Sequence, residues 1–104
     1  MSDYLSITEM ILDMTRSMLA AAKASEWGKV REHEARREIL LKNLNLNGDI
    51  FGEDAKNIAA NLEETIRINS LIIDLGLHEK NEAAKTISAL QRGRKANRAY
   101  NGVI

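Results

Sequence analysis

Residues 54–100 read DAKNIAA NLEETIRINS LIIDLGLHEK NEAAKTISAL QRGRKANRAY, and the fold turns on how this stretch is read. It contains no proline, and one stripe passes through Leu62, Ile66, Asn69, Ile73, Gly76, Lys80, Ala83, Ile87 and Leu90. Its steps alternate four and three, the seam spacing of a helix packed against other helices. An unbroken helix over the 39 residues 54–92 would run roughly 58 Å at 1.5 Å per residue. The nearly all-round apolar run Leu71-Ile72-Ile73 with Leu75 and Leu77 suits the middle of a bundle. Gly76 either ends this helix or is crossed by it; the stripe passes it in phase and no cap or proline follows, which favours continuity. Gly93 is the better stop. After it come Arg94, Lys95 and Arg98 with no acid among them, then Tyr100. Two readings stand: a basic helix end that suits the macrodipole, or a separate segment, 94–101, that docks through Ala96, Ala99 and Tyr100.

Working outward, the rest of the chain is built in shorter pieces. A first helix is expected over 3–23, capped by Ser2 or Asp3, with Tyr4, Ile7, Ile11, Met14, Met18 and Ala21 on one row and Leu5, Leu12 and Leu19 beside it. So wide a face touches at least two neighbours. Met10, Met14 and Met18 are either core filler or an adaptable binding surface. Ser25 is the expected N-cap of a second helix over 26–44, whose stripe holds Trp27, Val30, Glu34, Arg37, Leu41 and Leu44, with Leu40 alongside. The short connection makes these two helices an antiparallel hairpin. Glu34 and Arg37 sit mid-stripe. Either both reach solvent along their aliphatic stems, or they form an internal pair, with Asn69 of the long helix as a third member, that fixes register. Residues 45–53 are the one obvious break: Asn47-Gly48 signals a turn, and Ile50-Phe51 is expected to fold over the core end before Asp54 caps the long helix.

Composition narrows the function classes. The 104 residues make one domain, 1–104, with a modest core and a formal net charge of zero, unlike a general nucleic-acid binder. There is no cysteine, so disulfides and thiolate metal sites are excluded. Glu9, Asp13 and Arg16 interrupt the only N-terminal apolar candidate for a leader or membrane span, so no stable membrane insertion and a cytoplasmic location are expected. Absence of proline and abundance of Ala, Leu, Ile, Glu, Lys and Arg predict an all-α chain: an antiparallel bundle of three main helices, the third very long, plus a short C-terminal helical segment. His33 and His78 are isolated, and no nucleophile, metal set or convergent carboxylate pair stands out. No catalytic, metal or cofactor-binding residue is therefore expected.

Three places in the chain resemble the FliT family of flagellar export chaperones. They are the Ser25-Glu26-Trp27 entry with Val30, Glu34, Arg37 and Leu41; the long helix with Ile66, Asn69, Leu71 and Ile72; and the ending Ile87, Leu90, Gly93, Arg94, Lys95, Ala96, Ala99 and Tyr100. The resemblance covers nearly the whole chain. It implies a substrate-specific chaperone of flagellar type III secretion that binds the C-terminal region of the filament cap protein FliD, prevents its early assembly and hands it to the export ATPase complex and the membrane gate protein FlhA. It also implies a regulatory tail, Arg94, Lys95, Arg98 and Tyr100, that folds back to mask the partner surface. Some family members bind a flagellar transcription regulator; nothing in these residues points there.

The residue pattern agrees in kind. Two helices of about 20 residues, roughly 30 Å each, cannot cover a helix nearly twice as long. The uncovered end must form a homodimer, be covered by the tail, or receive a client helix. The expected partner-binding residues are Ile66, Ile73, Leu77, Ala84, Ile87, Leu90 and Tyr100; Trp27, Val30, Glu34, Arg37, Leu41 and Asn69 are expected to set core and register. The alternatives are a structural or adaptor protein that forms a constitutive oligomer and, more remotely, a small all-helical enzyme. The latter would need several cations and a carboxylate in one pocket, whereas Arg16, Arg36, Arg37 and Arg67 are spread over separate faces.

Overall fold

The computed structural model describes residues 3–44 and 52–102, and places side chains for 4–44 and 52–94. Three helices carry the described chain: α1 (Asp3–Lys23), α2 (Trp27–Asn43) and α3 (Ala55–Gly102). The expected turn at Asn47-Gly48, the Ile50-Phe51 cover, and any contact of the Lys95, Arg98 or Tyr100 side chains lie outside the described residues. The chain divides into two units, Met1–Asp74 and Leu75–Ile104.

In the first unit α1 and α2 form a hairpin closed by a tight helix end. Glu26 N–H donates to Ala21 O at 2.9 Å and Ser25 N–H to Ala22 O at 3.0 Å. These are the paired bonds of a Schellman ending, which places the residue after the helix in the left-handed region. That residue is Ser25, at φ 59°. Ser25 therefore closes α1, where the sequence reading had it opening α2. The N-cap position of α2 belongs to Glu26, which makes no side-chain capping bond; its carbonyl accepts from the Lys29 and Val30 amides. Ser25→Val is expected to lower stability by about 1–2 kcal/mol, because left-handed backbone is costly with a β-carbon and more so with a branched one. Thermal melts of Ser25→Val and Ser25→Gly, with the glycine variant the more stable, check this.

The buried seam of the bundle includes small polar residues as well as aliphatic ones. On α1, Thr8, Ile11, Thr15, Met18 and Ala22 are buried, with Leu12 and Ala21 beside them. Their three-four spacing is regular, yet both threonines are 0% exposed. Each satisfies its own hydroxyl: Thr8 Oγ1 donates to Leu5 O at 2.9 Å, and Thr15 Oγ1 to Ile11 O at 2.8 Å. A hydroxyl bonded to its own helix can be buried with little desolvation penalty. Val30 on α2 is buried, as are Leu44 at the C-cap just after it and Ile58, Ile68 and Ile72 on α3.

Three cross-helix bonds give the order of the layers. Asn61 Nδ2 donates to Thr8 Oγ1 at 3.2 Å, and Arg37 links Thr15 and Asn69. Positions on α1 and α3 rise together through these pairs, so in this unit α3 runs parallel to α1 and both oppose α2. Asp54 O accepts from Ile58 N–H at 2.8 Å, the first intrahelical bond of α3, which puts Asp54 at the cap position as expected.

Three sequence expectations need correction. The seam of α3 lies one residue away from the stripe read from apolar spacing: Ile68 and Ile72 are buried, while Ile66 and Ile73 are exposed. Leu71 and Leu77 are exposed too, so the run around Ile72 is not enclosed on all sides. Finally, α3 crosses Gly76, as favoured, but also crosses Gly93 and continues to Gly102. Gly93 costs about 1 kcal/mol relative to alanine. It is flanked by Arg92, Arg94, Lys95 and Ala96, all good helix formers, and no proline follows. The separate segment 94–101 is thus continuous helix.

Candidate functional site

Arg37 is the residue on which the helices of the first unit converge. One guanidinium nitrogen, Nη1, donates to Thr15 Oγ1 of α1 at 3.1 Å and to Asn69 Oδ1 of α3 at 2.9 Å. The internal Glu34–Arg37 pair, one of the two readings of the sequence, does not form. Glu34 is exposed, and among the described residues Arg37 has no ion pair within 4.0 Å. The i,i+3 spacing of Glu34 and Arg37 does not bring them together because Arg37 turns into the bundle while Glu34 faces solvent. Of the residues expected to set core and register, Trp27 is half-buried, Val30 buried, and Leu41 exposed.

Beside Arg37 a cleft of about 230 Å³ opens between α2 and α3, lined by Ile11, Arg37, Leu41, Thr65, Ile66, Asn69 and Ser70. Ile11 is fully buried and forms its depth, while Leu41 and Ile66, at 39% and 67% exposure, stand at its mouth. Thr65 directs its hydroxyl to Asn61 O at 2.7 Å, which leaves its methyl as part of the apolar lining. Ile73, 54% exposed, lies two turns further along α3.

The second unit carries the other half of the expected partner residues. Leu77, Ile87 and Leu90 are 53%, 54% and 63% exposed, and Ala84 is exposed with them. At about 100° per residue, these positions sweep roughly 140° of the helix circumference. Scattered exposed leucines are normal on a protein surface; an arc of them on one helix is the kind of patch that marks an interaction site. Masking of this arc by residues 94–100 needs a chain reversal at Gly93, and the unbroken helix has none.

Surface charge adds little. Arg67, first through its hydrogen bonds and then through its charge, holds the Glu64 carboxyl below its usual range, and the Arg67 guanidinium is raised in turn. The Glu26 carboxylate likewise raises Lys29. Such exposed i,i+3 pairs are screened by salt and contribute little. Among the described residues there is no cluster of three metal-ligating side chains, and no helix is long and apolar enough to cross a membrane.

Sequence reasoning missed Thr8, Thr15 and Asn61 as seam residues, and it did not foresee the cleft beside Arg37. Thr8 and Thr15 lie in heptad phase with Ile11 and Met18, which was the available signal.

Helix order, helix lengths and the exposed aliphatics of α3 are features that comparison with known families can place. The family described as Flagellar protein FliT matches residues 5–102. The chain belongs to the FliT family. FliT proteins are flagellar export chaperones, and the three-helix architecture with a long α3 is the frame on which this member presents its surfaces. A search of the curated proteins found no match, and neither did one of the solved structures.

Proposed function

We propose that this FliT-family chain is a cytoplasmic, substrate-specific chaperone of flagellar type III export. It binds the C-terminal region of the filament cap protein FliD, keeps that protein from assembling early, and delivers it to the export apparatus through the export ATPase complex and the FlhA gate. The observation that carries this reading is the set of large aliphatic residues left exposed on α3: Ile66, Leu71 and Ile73 in the first unit, and Leu77, Ile87 and Leu90 in the second. A client segment that forms an amphipathic helix, with anchors at i, i+3, i+4 and i+7, is the natural complement of such a helix. No catalytic group enters the reading, in keeping with a chaperone family.

Light scattering coupled to size exclusion, alone and with a FliD C-terminal peptide, tests it. A stoichiometric complex should form only when the peptide is added, and calorimetry should report saturable binding. A stable oligomer of the chain that ignores the peptide would instead identify a constitutive structural protein.

A further inference from the structure

Arg37 is a partly buried cation whose hydrogen-bond partners among the described residues, Thr15 and Asn69, are both neutral. Thr15 and Asn69 take two hydrogens of Nη1. Nε is buried and has no acceptor, and no carboxylate among the described residues lies within ion-pair distance. Leaving a buried donor unmade is costly, and taking a guanidinium out of water without a counter-charge is costlier still. The acids closest to Arg37 in the chain, Glu34 and Glu38, are exposed. Glu64 on α3 is engaged by Arg67. Arg37 lines an open cleft with aliphatic walls, and a guanidinium that lacks a counter-charge is readily paired by a carboxylate.

We propose that the α2–α3 cleft is a carboxylate-reading pocket. Its occupant is an acidic side chain of a protein client, carried beside an aliphatic residue. Arg37 supplies the counter-charge, and Ile11, Leu41 and Ile66 receive the aliphatic neighbour. The size of the cleft supports a side-chain occupant over a cofactor: 230 Å³ is below the roughly 300–1,000 Å³ of small-molecule sites. Its chemistry supports an acid, because the wall offers one cation and otherwise hydroxyl, amide and methyl groups. The same guanidinium that ties α1 to α3 would then also sense whether the groove is filled. This proposal rests on the chaperone reading for the identity of the client, but not for the chemistry of the pocket.

Two measurements on the full chain keep those apart. In the first, the FliD C-terminal peptide is titrated into the native protein and into Arg37→Met, and a peptide with every Asp and Glu replaced by Asn and Gln is titrated into both. Loss of Arg37 should weaken the native peptide by about tenfold or more and leave the neutralised peptide unaffected. Equal binding of the native peptide to both proteins overturns the pocket while the chaperone reading stands. In the second, acetyl-Leu-Glu-amide and acetyl-Leu-Gln-amide are titrated into the native protein and the Arg37 Nε–H resonance is followed by NMR. This arm needs neither a variant that folds nor the correct client. The glutamate probe should shift that resonance together with the amides of Thr65, Asn69 and Ser70; a response no larger than that to the glutamine probe overturns the proposal.

Discussion

Truncating Ile11 to alanine is expected to lower the unfolding free energy by about 3 kcal/mol, the middle of the range for removing a large aliphatic side chain from a packed core. Ile11 is 0% exposed and its carbonyl anchors the Thr15 hydroxyl, so the side chain sits where α1 meets both other helices. The loss has two parts, the transfer energy of the removed carbons and the void left behind. Ile11 also forms the inner wall of the α2–α3 cleft. The new void would therefore join an existing opening and admit water, which holds the cost below the upper end of the range. Small domains have about 5–15 kcal/mol of stability, so a single methyl-rich side chain accounts for a large share. At about 4–8 °C per kcal/mol for a domain of this size, the melting midpoint should fall by about 12–24 °C. Ile66→Ala, made at a residue 67% exposed, is the matched control and should shift the midpoint by a small fraction of that. Equal shifts for the two variants would mean that the core is not centred where Ile11 lies.

The contrast between Ile11 and Ile66 also shows where the sequence could be read and where it could not. The start of α3 is written in its Asp54 cap, the extent of α1 follows the return of apolar side chains, and α2 is legible to within a residue at each end. The phase of the α3 seam is not. A stripe traced through large apolar residues selects Ile66 and Ile73, whereas the bundle buries Ile58, Ile68 and Ile72 on a seam that also contains Asn61 and Thr65. The physical reason is local satisfaction. Thr8, Thr15 and Thr65 donate to carbonyls of their own helix, so they enter a core that a hydropathy count assigns to larger side chains. Arg37 was visible as an oddity in an apolar row, and its bond to Asn69 follows from the facing positions of α2 and α3. That Glu34 would stay outside was not visible, because i,i+3 spacing permits the pair without requiring it. Gly93 misled for a different reason. Glycine marks helix ends only when the flanking sequence also favours an end, and Arg92, Arg94, Lys95 and Ala96 all favour continuation.

Aspartate at Ile87 or Leu90 is expected to reduce client affinity by about 100-fold or more while leaving the fold intact. Both side chains are more than half exposed, so a charge there meets water in the free protein and the melting curve should not move. In the complex the same carboxylate would be enclosed against an apolar client face with no partner, a desolvation cost of several kcal/mol. Anchors at the centre of an interface typically carry about 2–4 kcal/mol each, which sets the scale of the loss. Ala89→Asp is the discriminating control. It adds the same charge to the same stretch of α3, but at about 120° from Leu77 on the side opposite the arc of Leu77, Ala84, Ile87 and Leu90. If the arc receives the client, calorimetry should separate Ile87→Asp and Leu90→Asp from Ala89→Asp by that hundredfold. If all three variants bind alike, the client does not use this face, and the exposed aliphatics of the first unit, Ile66 and Ile73 beside the Arg37 cleft, become the whole of the binding surface.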